Sequence, residues 1–242
     1  MGAQNEARYT QIAHYLRGRV AAGSPGDRLP SDAELCARFG VSRMTARQAV
    51  QLLVNESLLY RRRGQGTFVA PRPVPRLLGS PLSFTESMRR RGLRASSKIV
   101  RARIGEPTPE DVEALRLGEG DAVVLLERLR LADGVPMALE RAVLVPELAV
   151  LLQEDLEQMS LHAAMERLGR IPTQAHARVT ARPATAAERR LLDLPPKGML
   201  VCERRVITDQ HSQPLEHTET RYAAPRYLFE AVLHRDDQEL LR

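Results

Sequence analysis

Three groups of residues in this 242-residue chain have the types and spacing to grip anions or to read hydrogen-bonding edges. The first lies in Ser42-Arg43-Met44-Thr45-Ala46-Arg47-Gln48-Ala49-Val50-Gln51, where Arg43, Arg47 and Gln51 recur at i, i+4 and i+8. On a helix these form one stripe, and an arginine there can donate two parallel hydrogen bonds to guanine O6 and N7 or to a phosphate. Ser42, Thr45 and Gln48 have lengths suited to phosphate or base contacts. The second group is Arg61-Arg62-Arg63-Gly64-Gln65-Gly66, a basic run whose glycines permit a tight tip and a close backbone approach to a partner. The third is Leu126-Glu127-Arg128-Leu129-Arg130-Leu131, in which strand alternation puts Arg128 and Arg130 on one face, with Ala138 and Glu140 sharing a face on the strand after it. Two guanidiniums side by side repel unless something anionic lies between them. A phosphate or carboxylate ligand would meet that need, and so would a surface ion network through Glu127 or Glu140.

The elements around the first two groups are legible. Tyr9, Ile12, Ala13, Leu16 and Val20 recur at helical spacing. The loop Gly23-Ser24-Pro25-Gly26-Asp27-Arg28-Leu29-Pro30 ends that helix. Ser31 caps a second, with Glu34 completing a capping box, Leu35 and Phe39 forming its buried stripe, and Gly40 supplying a left-handed stop. Ser42 caps a third helix. There Ala46, Ala49, Val50 and Leu53 face the interior while Arg43 sits in the first turn, the part of a recognition helix that reaches base edges. Leu58-Leu59-Tyr60 then leads into the basic hairpin. This is the layout of a winged helix-turn-helix. Charge agrees, because residues 1–76 hold 12 Lys and Arg against 5 Asp and Glu, whereas the remainder holds 24 against 25. Double-stranded DNA is the expected partner.

Pro71-Arg72-Pro73-Val74-Pro75 reads as a stiff, extended linker. Beyond it lies a weak internal repeat. Thr108-Pro109-Glu110-Asp111, Glu127-Arg128 and Pro136 recur as Thr185-Ala186-Ala187-Glu188, Glu203-Arg204 and Pro214, offset by 76 to 78 residues. Each unit reads as a capped helix followed by a β-hairpin, which predicts an antiparallel sheet flanked by helices. The fold class is therefore α+β. No apolar run approaches the ~20 residues of a membrane span, and Met1–Val20 lacks a signal-peptide layout, so a cytoplasmic protein without membrane association is expected. Cys36 and Cys202 show no metal spacing, and the six histidines are scattered. No metal, cofactor or catalytic constellation is expected.

Residues 8–70, with Pro25-Gly26-Asp27-Arg28-Leu29-Pro30-Ser31 and Gly64-Gln65-Gly66-Thr67-Phe68-Val69, resemble the DNA-binding domain of the GntR superfamily of bacterial regulators. That resemblance implies main recognition contacts from Arg43, Thr45 and Arg47, with Gln65 or Gly66 in the minor groove. The full candidate DNA-contacting set is Ser31, Ser42, Arg43, Thr45, Arg47, Gln48, Arg62, Arg63, Gln65 and Gly66. From about Leu82 to Leu233 the chain is similar to the UTRA effector domain of the HutC branch, with a chorismate-lyase-like fold. The segments carrying this likeness are Ser83-Phe84-Thr85-Glu86-Ser87-Met88-Arg89-Arg90-Arg91-Gly92, Glu127-Arg128-Leu129-Arg130 and Asp133-Gly134-Val135-Pro136-Met137-Ala138-Leu139-Glu140. They are similar to those of regulators of N-acetylglucosamine use. By that resemblance Phe84, Thr85, Arg128, Arg130 and Ser160 would hold a phosphate, Glu140, Glu216 and Tyr222 a sugar, and Arg170 is a further candidate. Ser160 fits equally as a helix cap, and Tyr222 as sheet packing. The expected domains are 1–70 for DNA binding, 71–79 as linker, and 80–242 for effector binding and dimerisation. The resemblance implies a homodimeric repressor that binds a palindromic operator and senses a small anion, with N-acetylglucosamine 6-phosphate as a candidate. A non-sugar carboxylate effector, or a chorismate-lyase-like enzyme fused to a DNA-binding domain, are the alternatives.

Overall fold

A computed structural model describes residues 8–56, 58–62, 64–70, 73–77 and 83–231. The chain divides into two compact units, the first comprising the residues to Val74 together with Asp193–Lys197 and the second Pro75–Leu192 together with the residues from Gly198 onward. The first holds α1 (Arg8–Ala22), α2 (Asp32–Phe39), α3 (Arg43–Asn55) and the hairpin β1 (Leu59–Arg62) and β2 (Gly66–Val69). Its core gathers Ile12, Leu16, Leu35, Ala46, Ala49, Val50 and Leu53 with Leu29, Leu59 and Val69, so the apolar faces of all three helices close on the base of the wing.

Local chemistry sets these boundaries. Ser31 accepts from the Glu34 backbone while the Glu34 side chain reaches back to the Ser31 N–H at 2.7 Å, a reciprocal cap that contributes about 1 kcal/mol. Gly40 ends α2 at φ 61°, a left-handed conformation that favours glycine. Ser42 then caps α3 by accepting from the Thr45 N–H at 3.2 Å. The loop before α2 is tied to the wing, because Leu29 N–H donates to Thr67 O at 2.9 Å and Val69 N–H to Asp27 O at 2.9 Å. The hairpin is thereby held against the helices by backbone bonds and not by its turn alone.

The second unit holds α4 (Phe84–Arg89), β4 (Ala95–Gly105), α5 (Pro109–Leu115), β5 (Val123–Ala132), β6 (Val135–Leu144), a 3-10 helix (Pro146–Gln153), α6 (Leu161–Arg167), β7 (Pro172–Pro183), α7 (Ala186–Leu191), β8 (Met199–Asp209) and β9 (Pro214–Ala223). Six strands form one antiparallel sheet in the order β4-β5-β6-β9-β8-β7. Asp133 and Gly134, at φ 47° and 74°, make the two-residue turn between β5 and β6. The core combines Val124, Leu126, Ala142 and Leu144 of the sheet with Leu148 and Leu151 of the 3-10 helix and Leu161 and Met165 of α6.

The repeat is larger than the sequence suggested. Each half adds a strand before its helix, β4 before α5 and β7 before α7, and these become the two edges of the sheet. Each half also opens with a serine-capped helix, Ser83 on α4 and Ser160 on α6. The halves meet where β6 pairs with β9. Part of the expected linker is a strand, because Val74–Leu77 (β3) pairs with Tyr227–Glu230 (β10) in a separate two-stranded sheet. Pro75, within β3, is compatible with an outer strand of this kind. No helix among the described residues is long and apolar enough to cross a membrane.

Candidate nucleic-acid interface and ligand site

In the first unit, α3 exposes Ser42, Arg43, Arg47 and Gln48 and half-buries Thr45. The Ser42 and Thr45 hydroxyls lie 3.0 Å apart, so the cap also fixes Thr45. Arg43 and Arg47 make no hydrogen bond or ion pair among the described residues, which leaves their full donor sets for a partner. A cleft of about 490 Å³ is lined by Ser31, Arg43, Arg61, Arg62, Gly64 and Gly66, bringing the N-termini of α2 and α3 up to the wing. Ser31 is thus a cap and a wall of the cleft at once.

The wing arginines have different surroundings. Arg61 is held by Asp32 at 2.7 Å. Arg62 lies over the Tyr60 and Phe68 rings, 5.5 and 5.8 Å from their centroids. Gln65 is exposed at the tip, Gly64 and Gly66 have φ 74° and 124°, and Arg63 lies outside the described residues. A Cβ on Gly66 would meet the Arg28 guanidinium at 3.3 Å. Arg28 was not among the expected contact residues. Its place beside the wing comes from the backbone bonds of the Asp27–Leu29 loop, which no spacing rule reveals.

In the second unit, register places the third group. Arg128 stands opposite Glu140 and Arg130 opposite Ala138, while Glu140 and Ala138 face Thr220 and Tyr222 across β9. Across β8, Thr220 faces Glu203 and Thr218 faces Arg205. One face of the sheet therefore carries Arg128, Arg130, Glu140, Glu203, Arg205 and Glu216, and every one of them is buried. Arg128 donates through Nε to Glu140 Oε1 at 2.9 Å and through Nη2 to the same oxygen. Of the two readings left open by the sequence, the Arg128–Glu140 contact is present, but it is buried and does not exhaust the site.

Arg130 is 3 % exposed. Its Nη2 donates to Thr85 Oγ1 at 3.3 Å, and Phe84 lies beneath the guanidinium, 4.7 Å from its carbon to the ring centroid. Its Nη1 is 3.5 Å from Glu140 Oε1, and neither Nη1 nor Nε has a hydrogen-bond partner. Burial and the neighbouring Arg128 pull the Arg130 guanidinium down to about 10, with Glu140 opposing them. Burial would push the Glu140 carboxyl up, but Arg128, Arg130 and Arg205 hold it down at about 2. Glu216 is also below the usual carboxylate range: burial raises it, and His162 and Arg205 outweigh burial.

Beside these groups is a cavity of about 480 Å³ lined by Ser83, Thr85, Arg89, Ser160 and His162 among others. Ser160 caps α6, its Oγ accepting from Ala163 N–H at 3.4 Å, and lines the cavity as well. Glu216 lies behind, 3.5 Å from His162 Nε2, with Thr218 donating to its other oxygen at 2.8 Å. Tyr222 is buried in an aromatic cluster with Tyr227 and Phe229 and donates its hydroxyl to Glu203 Oε2 at 3.0 Å. Arg170 is not brought to this place. It binds Asp209 at 2.9 Å and lines a different cavity with Arg116 and Gln210. Glu203 and Arg205 belong to the face, and His162 of α6 stands beside Glu216, although none of the three was among the expected ligand-holding residues. Among the described residues, no group of three His, Cys, Asp or Glu could hold a metal ion.

A helix-turn-helix with uncommitted arginines beside a basic wing, in one chain with a sheet bearing a buried arginine-rich face, is the build of a DNA-binding transcriptional regulator. Comparison with known proteins gives the family. Residues 8–69 match the bacterial regulatory proteins of the gntR family and residues 90–227 the UTRA domain, and the chain belongs to that family. It is 34 % identical over 224 residues to the HTH-type transcriptional repressor NagR of Bacillus subtilis, covering 91 % of this chain and 92 % of that protein. It is 29 % identical over 214 residues to the probable transcriptional regulator PhnF of Escherichia coli, with 87 % and 89 % covered. Among solved structures it resembles PhnF from Mycobacterium smegmatis, with a TM-score of 0.64, 27 % identity, and coverage of 93 % of this chain and 100 % of that one.

Proposed function

We propose that this regulator is a cytoplasmic homodimeric repressor, with no catalytic role, whose affinity for a palindromic operator is changed by a small phosphorylated sugar. An amino-sugar phosphate is favoured, because the similarity to a repressor named NagR extends over nine-tenths of the chain. Arg43, Thr45 and Arg47 read bases, Arg62, Gln65 and Gly66 engage backbone and minor groove, and Ser31, Ser42 and Gln48 fix register on phosphates. Two-fold symmetry in the protein demands two-fold symmetry in the operator. In the second unit, Arg130 with Thr85 and Ser160 takes the phosphate, while Glu140 and Glu216 accept from sugar hydroxyls.

The observation that carries this reading is Arg130. A buried guanidinium with two N–H groups lacking acceptors is costly to keep, and a phosphate satisfies it with charge-assisted bonds. The effector can shift operator affinity only by its preference for one state of the protein over the other, typically about 1–3 kcal/mol. Thermal unfolding with N-acetylglucosamine 6-phosphate, glucosamine 6-phosphate and inorganic phosphate, paired with operator titrations on DNA selected from a random pool, tests it. A ligand at a hundredfold its Kd should stabilise by about 2.7 kcal/mol. No shift with any of the three would sink the phosphate assignment, and a shift without altered operator affinity would sink the coupling.

A further inference from the structure

Met44 is the one apolar residue of α3 that the core leaves out. Ala46, Ala49, Val50 and Leu53 are buried in that core, and Leu52 and Val54 pack against it. Met44 is 77 % exposed, more than any other large apolar side chain among the described residues. A single exposed hydrophobe is ordinary on a protein surface, so its exposure alone decides nothing. Its place does. At about 100° per residue, Met44 stands roughly 170° from the centre of the buried face, whereas Arg43 and Arg47 stand at about 70° and 110°. The arginines lie to one side of the outward ridge of α3, with Arg43 lining the cleft beside the wing. Met44 begins the ridge itself, ahead of Gln48 and Gln51. Helical side chains lean toward the N-terminus, and Met44 is the second residue of α3, so it projects at the helix end that meets base edges.

We infer that Met44 is a base-reading residue specific for thymine, packing on the C5-methyl group in the major groove beside the edges that Arg43 and Arg47 contact. This rests on the reading that α3 is the recognition helix. The other groups that distinguish the base pairs in that groove are hydrogen-bond donors and acceptors, and the thymine methyl is the apolar one. A thioether has no proton to donate and is a weak acceptor, so it gains little from a phosphate or a guanine edge. Pressed against either, it would cost that group its hydrogen bonds to water. Against a methyl group it gains apolar burial, and its three rotatable bonds let it adjust to the position of the base. The operator should therefore carry a thymine in each half-site, next to the bases that the arginines read.

The full chain tests this on the duplex it selects from a random pool, with each thymine of the half-site replaced in turn by uracil. Uracil lacks only the methyl group and keeps the same hydrogen-bonding edge. At one thymine the exchange should weaken binding about fourfold, the value of one buried methyl, and about fifteenfold when made in both half-sites. Met44→Ala should bind the thymine and uracil duplexes alike at that position, in anisotropy titrations at one fixed salt concentration. Met44→Leu, which keeps an apolar side chain, should retain the thymine preference. Met44 lies outside the core, so both substitutions leave the fold in place. Indifference of the wild-type protein to uracil at every thymine overturns the inference. So does a penalty that survives Met44→Ala, which would assign the methyl contact to a neighbour such as Thr45. Both results leave the recognition helix standing, whereas a pool from which the chain selects no sequence sinks that reading and the inference together.

Discussion

Replacing Glu140 with glutamine separates charge from shape at the centre of the proposed ligand face. The amide oxygen still accepts from Arg128, but the negative charge that Arg128, Arg130 and Arg205 share is gone. The Glu140 carboxyl lies at about 2 against an ordinary 4.5, and Glu140 is 8 % exposed, so its ionised form contributes about 3 kcal/mol to folding at neutral pH. Breaking a buried ion pair by removing one partner costs a similar about 3–5 kcal/mol. At about 2–4 °C per kcal/mol for a domain of this size, the transition of the second unit should fall by roughly 6–12 °C. The charge left behind is positive, so inorganic phosphate should raise the unfolding temperature of Glu140→Gln more than that of the wild type. The response to a sugar phosphate should gain less, because Glu140 no longer accepts from a hydroxyl as an anion. Differential scanning fluorimetry across a phosphate series reads all of this. A fall of under a degree, or identical phosphate responses in the two proteins, would refute the claim that Glu140 balances this arginine cluster.

At the DNA-reading surface, Arg43→Ala should lose about 1–3 kcal/mol of discrimination between operator and random DNA, whereas Arg62→Ala should weaken both alike and reduce the salt slope by about one. Equal losses of specificity in competition titrations would contradict the separation of base reading from backbone contact. Gly66→Ala puts a side chain at φ 124° and against Arg28 at 3.3 Å, and should destabilise the wing by about 1 kcal/mol or more and weaken operator binding, as unfolding and titration together would show. Glu140 and Glu216 both have folded-state pKa values below their ordinary ones, so the stability they contribute is complete above about 4.5. It should be lost as pH falls towards 2, and an acid titration followed by near-ultraviolet dichroism that showed no loss over that window would contradict the assignment.

How much of this was legible in the sequence depended on whether each element carried its own local signal. The first unit did, because Ser31 with Glu34, Gly40, Ser42 and the buried stripe Ala46, Ala49, Val50 and Leu53 each fix one boundary or face independently of the rest. The sheet edges did not. Along β4 and β7 most residues are exposed on both faces, as with Arg101, Arg103, His176 and Arg178, so no alternation of apolar and polar residues marks a strand. Arg128, Arg130 and Glu140 could be placed on shared faces by alternation alone, but Arg128 could not be paired with Glu140 without the register. Arg170 went elsewhere because Asp209, distant in sequence, captures it.

Arg205 was hidden by a slip of one residue. Aligning Glu203-Arg204 with Glu127-Arg128 makes Arg204 the counterpart of Arg128, yet Arg204 is exposed on the opposite face, bound to Glu110 and Glu219. In a strand a shift of one position exchanges the two faces, so an alignment good enough to find the repeat was not good enough to find its second buried arginine. The same register bears on the proposed ligand role of this face. Three arginines and three glutamates balance in charge, and a sheet that met each guanidinium with its own carboxylate, as Glu140 meets Arg128, would be closed to any guest. Thr218 at the position facing Arg205 leaves charge in balance through Glu203 while leaving hydrogen-bond donors empty. What the face lacks is therefore acceptors in the right places and not negative charge in bulk. Under the proposed function, geometry would set the selectivity of this face, whereas the exposed arginines of α3 would grip DNA through charge and so with a dependence on salt.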